Sequence, residues 1–217
     1  MAGVARDVQQ HLGDLFAVAF DFRQADIEVS VQRMRGTELV TQQLPRYVRT
    51  DIHRLLDRVL QLLRNEFGAT HTLDADFDVS LPEVECDSEQ ITQVLLNIAR
   101  NACQSTDSVT SPHVTLRSRV ARQVVLSRRR YRMALEIAVI DNGPGIAEDI
   151  RDRIFYPLFT TRNDGTGSGL GLSIAQTFVA QHYGAIEVDS EPGQTEFRVI
   201  LPFDHPTDAD ATERKLV

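Results

Sequence analysis

Tryptophan is absent from these 217 residues, lysine occurs once, at Lys215, and cysteine only at Cys86 and Cys103. Each scarcity excludes something. A phosphate loop of the Walker type needs a lysine directly after its glycines, and none is available. Two cysteines without CxxC spacing make no disulfide framework, and Cys103 reads as a small buried hydrophobe. No stretch approaches the roughly 18 uninterrupted apolar residues of a membrane span. The N-terminus carries no basic-then-apolar signal, so a soluble, cytoplasmic protein is expected. Positive charge is in deficit too. A net charge of -8 and a pI near 5.2 argue against nucleic acid as the main partner. There is no internal repeat. What is present is a 42% hydrophobic fraction, enough for a proper core in one or two domains.

Residues 1–45 give little: Phe16 to Ala25 is mildly apolar, and Asp26 to Gln32 alternates as a strand would. From Ile52 the spacing of Leu55, Leu56, Val59, Leu60, Leu63 and Phe67 predicts a helix, with Thr50 or Asp51 as N-cap and Gly68 at its end. His71 to Val79 reads as a strand and Ser80-Leu-Pro-Glu83 as a turn. Asp87 and Gln90 form a capping box opening a second helix. Val114–Val125 and Tyr131–Asp141 read as a hairpin with Arg128-Arg-Arg130 near its tip. A short helix over 147–154 follows, then an irregular stretch from Tyr156 to Ser168. A helix from Leu170 to about His182 and a hairpin around Pro192-Gly193 close the domain. A tail from 204 to 217 is expected to be disordered.

Three polar, glycine-punctuated blocks carry the chemistry. Asn97 and Asn101 lie four apart on one flank of the second helix. Two such amides can offer carbonyl oxygens to a hard cation such as Mg2+ and donors to phosphate; alternatively they cap a neighbouring loop. Asp141-Asn-Gly-Pro-Gly-Ile146 ends an apolar strand. Its carboxylate can accept from an exocyclic amine such as that of adenine, while Gly143 and Gly145 let the backbone approach a flat base; the alternative is an ordinary turn. Glycines 165, 167, 169 and 171 run into a helix, a natural anion site. The spacing is not the dinucleotide fingerprint, and no βαβ unit precedes it. Arg162 could reach a terminal phosphate, or be a solvated loop arginine.

In their order and spacing these blocks resemble the N, G1, F and G2 boxes of the histidine-kinase branch of the GHKL ATP-binding superfamily. Ile154-Phe-Tyr-Pro-Leu-Phe159 fits the F box and Pro192-Gly-Gln-Thr-Glu-Phe197 the closing strand. The resemblance covers about 48–203 and is strongest to the nitrogen-regulation (NtrB-type) sensor kinases, through Asp51-Ile-His53, Ser80-Leu-Pro-Glu83 and Gln93 to Ala102. It implies an α/β two-layer sandwich over 46–203: a mixed β-sheet backed by helices, the Bergerat ATP-binding fold, with a flexible ATP lid from Tyr156 to Ser168. By the same carry-over Asn101 holds Mg2+, and Asn97 and Arg100 lie on the phosphate side. Asp141 reads the adenine amine with Thr195, and Ile146 joins Gly143 and Gly145 there. Thr161, Arg162, Gly165, Gly167, Gly169, Leu170, Gly171 and Leu172 line the phosphates, with Asn97 and Arg162 nearest the chemistry. The ATP-hydrolysing relatives have a glutamate base where this chain has Asn97. An amide cannot take a proton, and a neutral imidazole nucleophile needs no such base. The pattern therefore favours transfer of the γ-phosphoryl group to histidine over hydrolysis.

The phosphoacceptor string of such kinases is not found. His11 is followed by Leu-Gly-Asp, and residues 1–45 lack the periodicity of a dimerisation hairpin. His53 reads as an exposed surface histidine on the first helix. The expectation is an ATP domain without its acceptor: a fragment, a truncated or disrupted gene product, or a kinase acting on a hairpin in trans. A nucleotide-gated interaction module that transfers nothing stays open beside it. The resemblance implies an NtrC-like response regulator and a PII-type signalling protein as partners. Arg128-Arg-Arg130 is either a solvated tip or a docking point for an acidic partner.

Overall fold

The computed structural model describes residues 45–161 and 168–204. The expected strand at 26–32, the lid segment carrying Arg162, Gly165 and Gly167, and the tail from 205 lie outside the described residues. Where the apolar spacing is helical, helices form. In α1 (Ile52–Phe67) all six of Ile52, Leu55, Leu56, Val59, Leu60 and Leu63 are buried. Asp51 is the N-cap, accepting the N–H of His53 at 3.0 Å. His53 is not the exposed histidine expected. Its half-buried ring lies 2.8 Å from the Asp78 carbonyl and 3.3 Å from Asp51 Oδ1, which ties α1 to the turn after β2 (Thr72–Phe77).

The second helix, α2 (Ser88–Ser105), is capped by Asp87, whose carboxylate accepts from the N–H groups of Glu89 and Gln90 at 3.0 and 3.1 Å. The capping box is completed differently from expectation. The N–H of Asp87 donates to His182 Nε2 at 2.9 Å, a partner 95 residues away. His182 Nδ1 then donates to the Phe178 carbonyl at 2.7 Å. A ring that accepts at Nε2 and donates at Nδ1 is neutral imidazole, and it is 1% exposed. It joins the start of α2 to the end of α4 (Gly171–Gln181).

β4 (His113–Leu126) and β5 (Arg129–Asp141) form the long hairpin, turning through Ser127 and Arg128, both at positive φ. With β6 (Ala185–Glu191) and β7 (Gln194–Pro202) they build a five-stranded sheet of order β2-β4-β5-β7-β6. Only the β2–β4 pair is parallel, so the sheet is mixed, as expected. Alternation along β7 sends Phe197, Val199 and Leu201 into the core with Leu95, Ile98, Ala175 and Val179 of the helices. Each such side chain contributes about 1.5–3 kcal/mol by leaving water. The opposite face carries ion pairs, Arg117–Glu196 and Arg198–Glu187 among them. A second, two-stranded sheet pairs β1 (Val48–Thr50) with β3 (Val84–Cys86). α3 (Glu148–Arg151) is shorter than the 147–154 expected. Among the described residues no helix is long and apolar enough to cross a membrane.

Candidate functional site

The spacing of four places Asn97, Asn101 and Ser105 on one stripe of α2. Their amides and hydroxyl are used differently. Asn97 Nδ2 donates to the Gly171 carbonyl at 2.9 Å while its Oδ1 accepts from Gln93 Nε2 at 2.8 Å, so its amide ties α2 to the first residue of α4. Asn101 is half-buried and makes no side-chain hydrogen bond among the described residues. The Ser105 hydroxyl faces the Ala102 carbonyl at 2.8 Å and Asp141 Oδ1 at 3.3 Å.

Asp141, the last residue of β5, is 4% exposed. Burial pushes its carboxyl above the ordinary range, against the pull of the Gly143 N–H and the Ser105 hydroxyl. Both of those groups meet Oδ1, at 2.9 and 3.3 Å. Oδ2 accepts no hydrogen bond among the described residues. The loop beyond is fixed from two sides. Asn142 closes the end of the hairpin through His113 N and the Ser111 carbonyl. The Gly193 N–H donates to the Gly143 carbonyl at 2.9 Å. Gly145 has φ +85°, and a Cβ there would lie 2.8 Å from the Glu191 carbonyl oxygen. Ser190 Oγ receives the Ile146 N–H at 2.8 Å and sits 2.9 Å from Thr195 Oγ1.

These groups surround a cleft of about 630 Å3. Ile150, Ile154, Phe159 and Phe197 give it apolar walls, and Leu172 and the start of α4 close one end. Leu170 before α4 makes no side-chain cap, its own N–H meeting Ser168 Oγ at 3.3 Å, and among the described residues the first-turn N–H groups of α4 have no acceptor and are open to a ligand. Arg100 lies at the rim and donates to Glu66 at 3.0 Å. A volume of this size, with a few convergent polar groups, suits a small-molecule ligand.

A family model described as "Histidine kinase-, DNA gyrase B-, and HSP90-like ATPase" matches residues 86–205, more than half of the sequence. The chain belongs to that family. Among its curated relatives is the sensory histidine kinase/phosphatase NtrB of Salmonella typhimurium (strain LT2), 47% identical over 156 residues, covering 72% of this chain and 44% of the relative. NtrB of Escherichia coli O157:H7 is 40% identical over 215 residues, covering 92% of this chain and 60% of the relative. The chain thus spans about half the length of these relatives. The catalytic domain of histidine kinase ThkA, solved without nucleotide, has the same fold: TM-score 0.61 at 25% identity, covering 73% of this chain and 96% of that one. Full-length ShkA in complex with AMPPNP gives 0.62 at 26%, covering 94% of this chain and 38% of that one. The resemblance to histidine-kinase ATP-binding domains therefore holds, as does the fold it implied.

The cleft brings together Asn97, Arg100, Asn101 and Asp141 with Gly145 and Ile146. Thr161, Gly169, Gly171, Leu172 and Thr195 line it as well. Gly143 and Leu170 stand just behind the lining, one bonded to Asp141 and the other preceding α4. Arg162, Gly165 and Gly167 lie outside the described residues. Sequence reasoning missed Ser105 and Ser190. Ser105 was within reach, since it continues the four-residue series of Asn97 and Asn101. Ser190 carries no local signal, because its partners come from Ile146 and β7.

Proposed function

We propose that the cleft binds Mg-ATP and that this chain is the catalytic domain of an NtrB-like sensor kinase, passing the γ-phosphoryl group to a histidine on an acceptor hairpin. The observation that carries the reading is the disposition of unused polar groups. Among the described residues, Asp141 Oδ2, the Asn101 amide and the first N–H groups of α4 have no partner at three points of one cleft. Asp141 is 4% exposed and lines the cleft, so an adenine amine there would meet the Oδ2 that Gly143 and Ser105 leave unused. The α4 N-terminus suits the phosphates. Asn101 fits a hard cation through its free carbonyl oxygen. Bound there, Mg2+ would neutralise charge on the phosphate oxygens.

The chain's own residues account for the rest. Asp141 and Thr195 orient the base. Ile154 and Phe197 exclude water from it. Asn97, with both ends of its amide engaged, positions α4 rather than taking a proton. A neutral imidazole nitrogen on the acceptor attacks the γ-phosphorus with its lone pair. The bond from phosphorus to the β–γ bridging oxygen breaks, ADP leaves with that oxygen, and phosphohistidine forms. The names of the relatives, sensory histidine kinase/phosphatase, support transfer over the nucleotide-gated module. An NtrC-like response regulator would receive the phosphoryl group, and a PII-type protein would control the kinase. The binding half of this reading is tested by calorimetric titration with ATP and Mg2+. Binding should fall about ten- to hundredfold in Asp141→Asn, the value of one hydrogen bond to a charged group. Unchanged affinity would remove the base-reading role.

A further inference from the structure

The β4–β5 hairpin outruns its sheet. β2 pairs with β4 only as far as Ser118, and β7 pairs with β5 only from Ala134. Among the described residues, 119–133 therefore form a two-stranded arm with no third strand on either side. A small apolar cluster links Leu126, beside its turn, with Ala134 and Ile200 at the sheet end, and Val124 and Tyr131 pack against it. Its composition is unlike the rest of the chain. It contains Arg119, Arg122, Arg128, Arg129, Arg130 and Arg132, and no Asp or Glu.

Arg119 pairs with Asp76 and Arg129 is half-buried. Arg122, Arg128, Arg130 and Arg132 are exposed, and among the described residues they make no ion pair or hydrogen bond through their side chains. Shortage of carboxylates is not the reason, because the chain has 31 acidic residues to 23 basic. On the sheet proper, Arg117 and Arg198 both have acidic partners. Between the free arginines stand two exposed apolar side chains, Val125 at 62% and Met133 at 43%. Arg130 pairs across the hairpin with Val125, and Arg122 with Met133, so each guanidinium stands beside an apolar side chain.

We infer that this arm is a docking element for a protein partner whose contact face combines clustered carboxylates with apolar side chains. Four guanidinium groups without an acidic partner among the described residues supply the charge that such a face complements, and Val125 and Met133 supply surface for its apolar part. Nucleic acid fits less well. The chain as a whole repels a polyanion at a net charge of -8, and the arm exposes no aromatic ring to stack on a base. The arm also leaves the cleft open. Arg132 and Asp141 lie towards opposite ends of β5, roughly 30 Å apart at about 3.3 Å per residue. A partner held on the arm would thus reach the molecule without covering the nucleotide.

The test is fluorescence anisotropy on the full chain. Three labelled probes are compared: a peptide of alternating glutamate and leucine, a DNA duplex, and phosphatidylserine vesicles. The chain should bind the peptide in preference to the other two. Arg122, Arg128, Arg130 and Arg132 replaced together by serine should weaken it by about tenfold, as expected for several partly exposed charge contacts. The same four replaced by glutamate should abolish it. Met133→Asp should weaken the peptide contact with the arginines intact. ATP affinity serves as the check that each variant is folded, and should stay unchanged throughout. Equal peptide binding by the wild type and both arginine variants would overturn the inference, as would tighter binding to the duplex or the vesicles.

Discussion

Asp141 holds an ionisable carboxyl where solvent hardly reaches, and its pH behaviour follows from that. Its folded-state affinity for a proton is raised by burial above the ordinary value of 3.8. The group therefore favours the folded state most below that ordinary value, and this contribution is lost as pH rises through the raised one. At neutral pH the ligand-free protein keeps a buried carboxylate at a cost. Asp141→Asn should then leave the melting temperature unchanged or higher at pH 7 while weakening ATP, and its advantage should shrink as the pH falls through the raised value. Thermal melts of both proteins across that range read the difference directly. A lower melting temperature for the variant at pH 7 would mean that the carboxylate is stabilising. Asn101 makes the complementary case. With no side-chain hydrogen bond to lose among the described residues, Asn101→Ala should cost little stability yet diminish the dependence of ATP binding on Mg2+ in calorimetric titrations. Both residues stood out in the sequence by type and position. The division of labour between the two asparagines was not, since it depends on where Gly171 comes to lie.

At the scale of the elements, the glycines around α4 separate into two kinds. Gly169 has φ +66°, and a Cβ there would lie 2.6 Å from the Leu158 carbonyl carbon, a backbone atom that cannot move aside cheaply. Around Gly171 the nearest atom would be Asn97 Cβ at 3.7 Å, an ordinary contact. Gly169→Ala should therefore cost about 1–3 kcal/mol of strain and weaken nucleotide binding, whereas Gly171→Ala should bind within a few-fold of wild type. Equal losses in titration would show that the alternating glycines act together. The two cysteines are inert by the same logic of place. Burial raises the Cys86 thiol to about 11 and the Cys103 thiol to about 12. Neither should react with iodoacetamide at pH 8 until the protein is unfolded.

Helices α1 and α2 could be read from their apolar spacing and their Asp caps, because those signals are local. The strands β1 and β3 could not. Three residues show no period, and they pair across the whole of α1. His182 was placed at a helix end, but its bond to Asp87 spans 95 residues. Removing that ring would leave the Asp87 N–H unsatisfied, a penalty of about 1–3 kcal/mol.

Over the whole molecule, the fold was legible because three blocks of unusual composition converge on one cleft. Their order along the chain is the order in which the sheet and helices bring them together. The part without such a pattern, 1–45, stayed unassigned. The central claim, that a cleft with Asn97 in place of a glutamate base transfers to histidine rather than to water, is a statement about the chemistry of the intact site. It is tested most directly by incubating the chain with γ-labelled ATP and Mg2+, alone and with a separately expressed acceptor hairpin of the NtrB type. The account predicts label on the hairpin histidine, stable to base and lost in acid, with negligible release of free phosphate when the chain is alone. ATP bound but no label on any histidine, or steady release of phosphate without the hairpin, would contradict it.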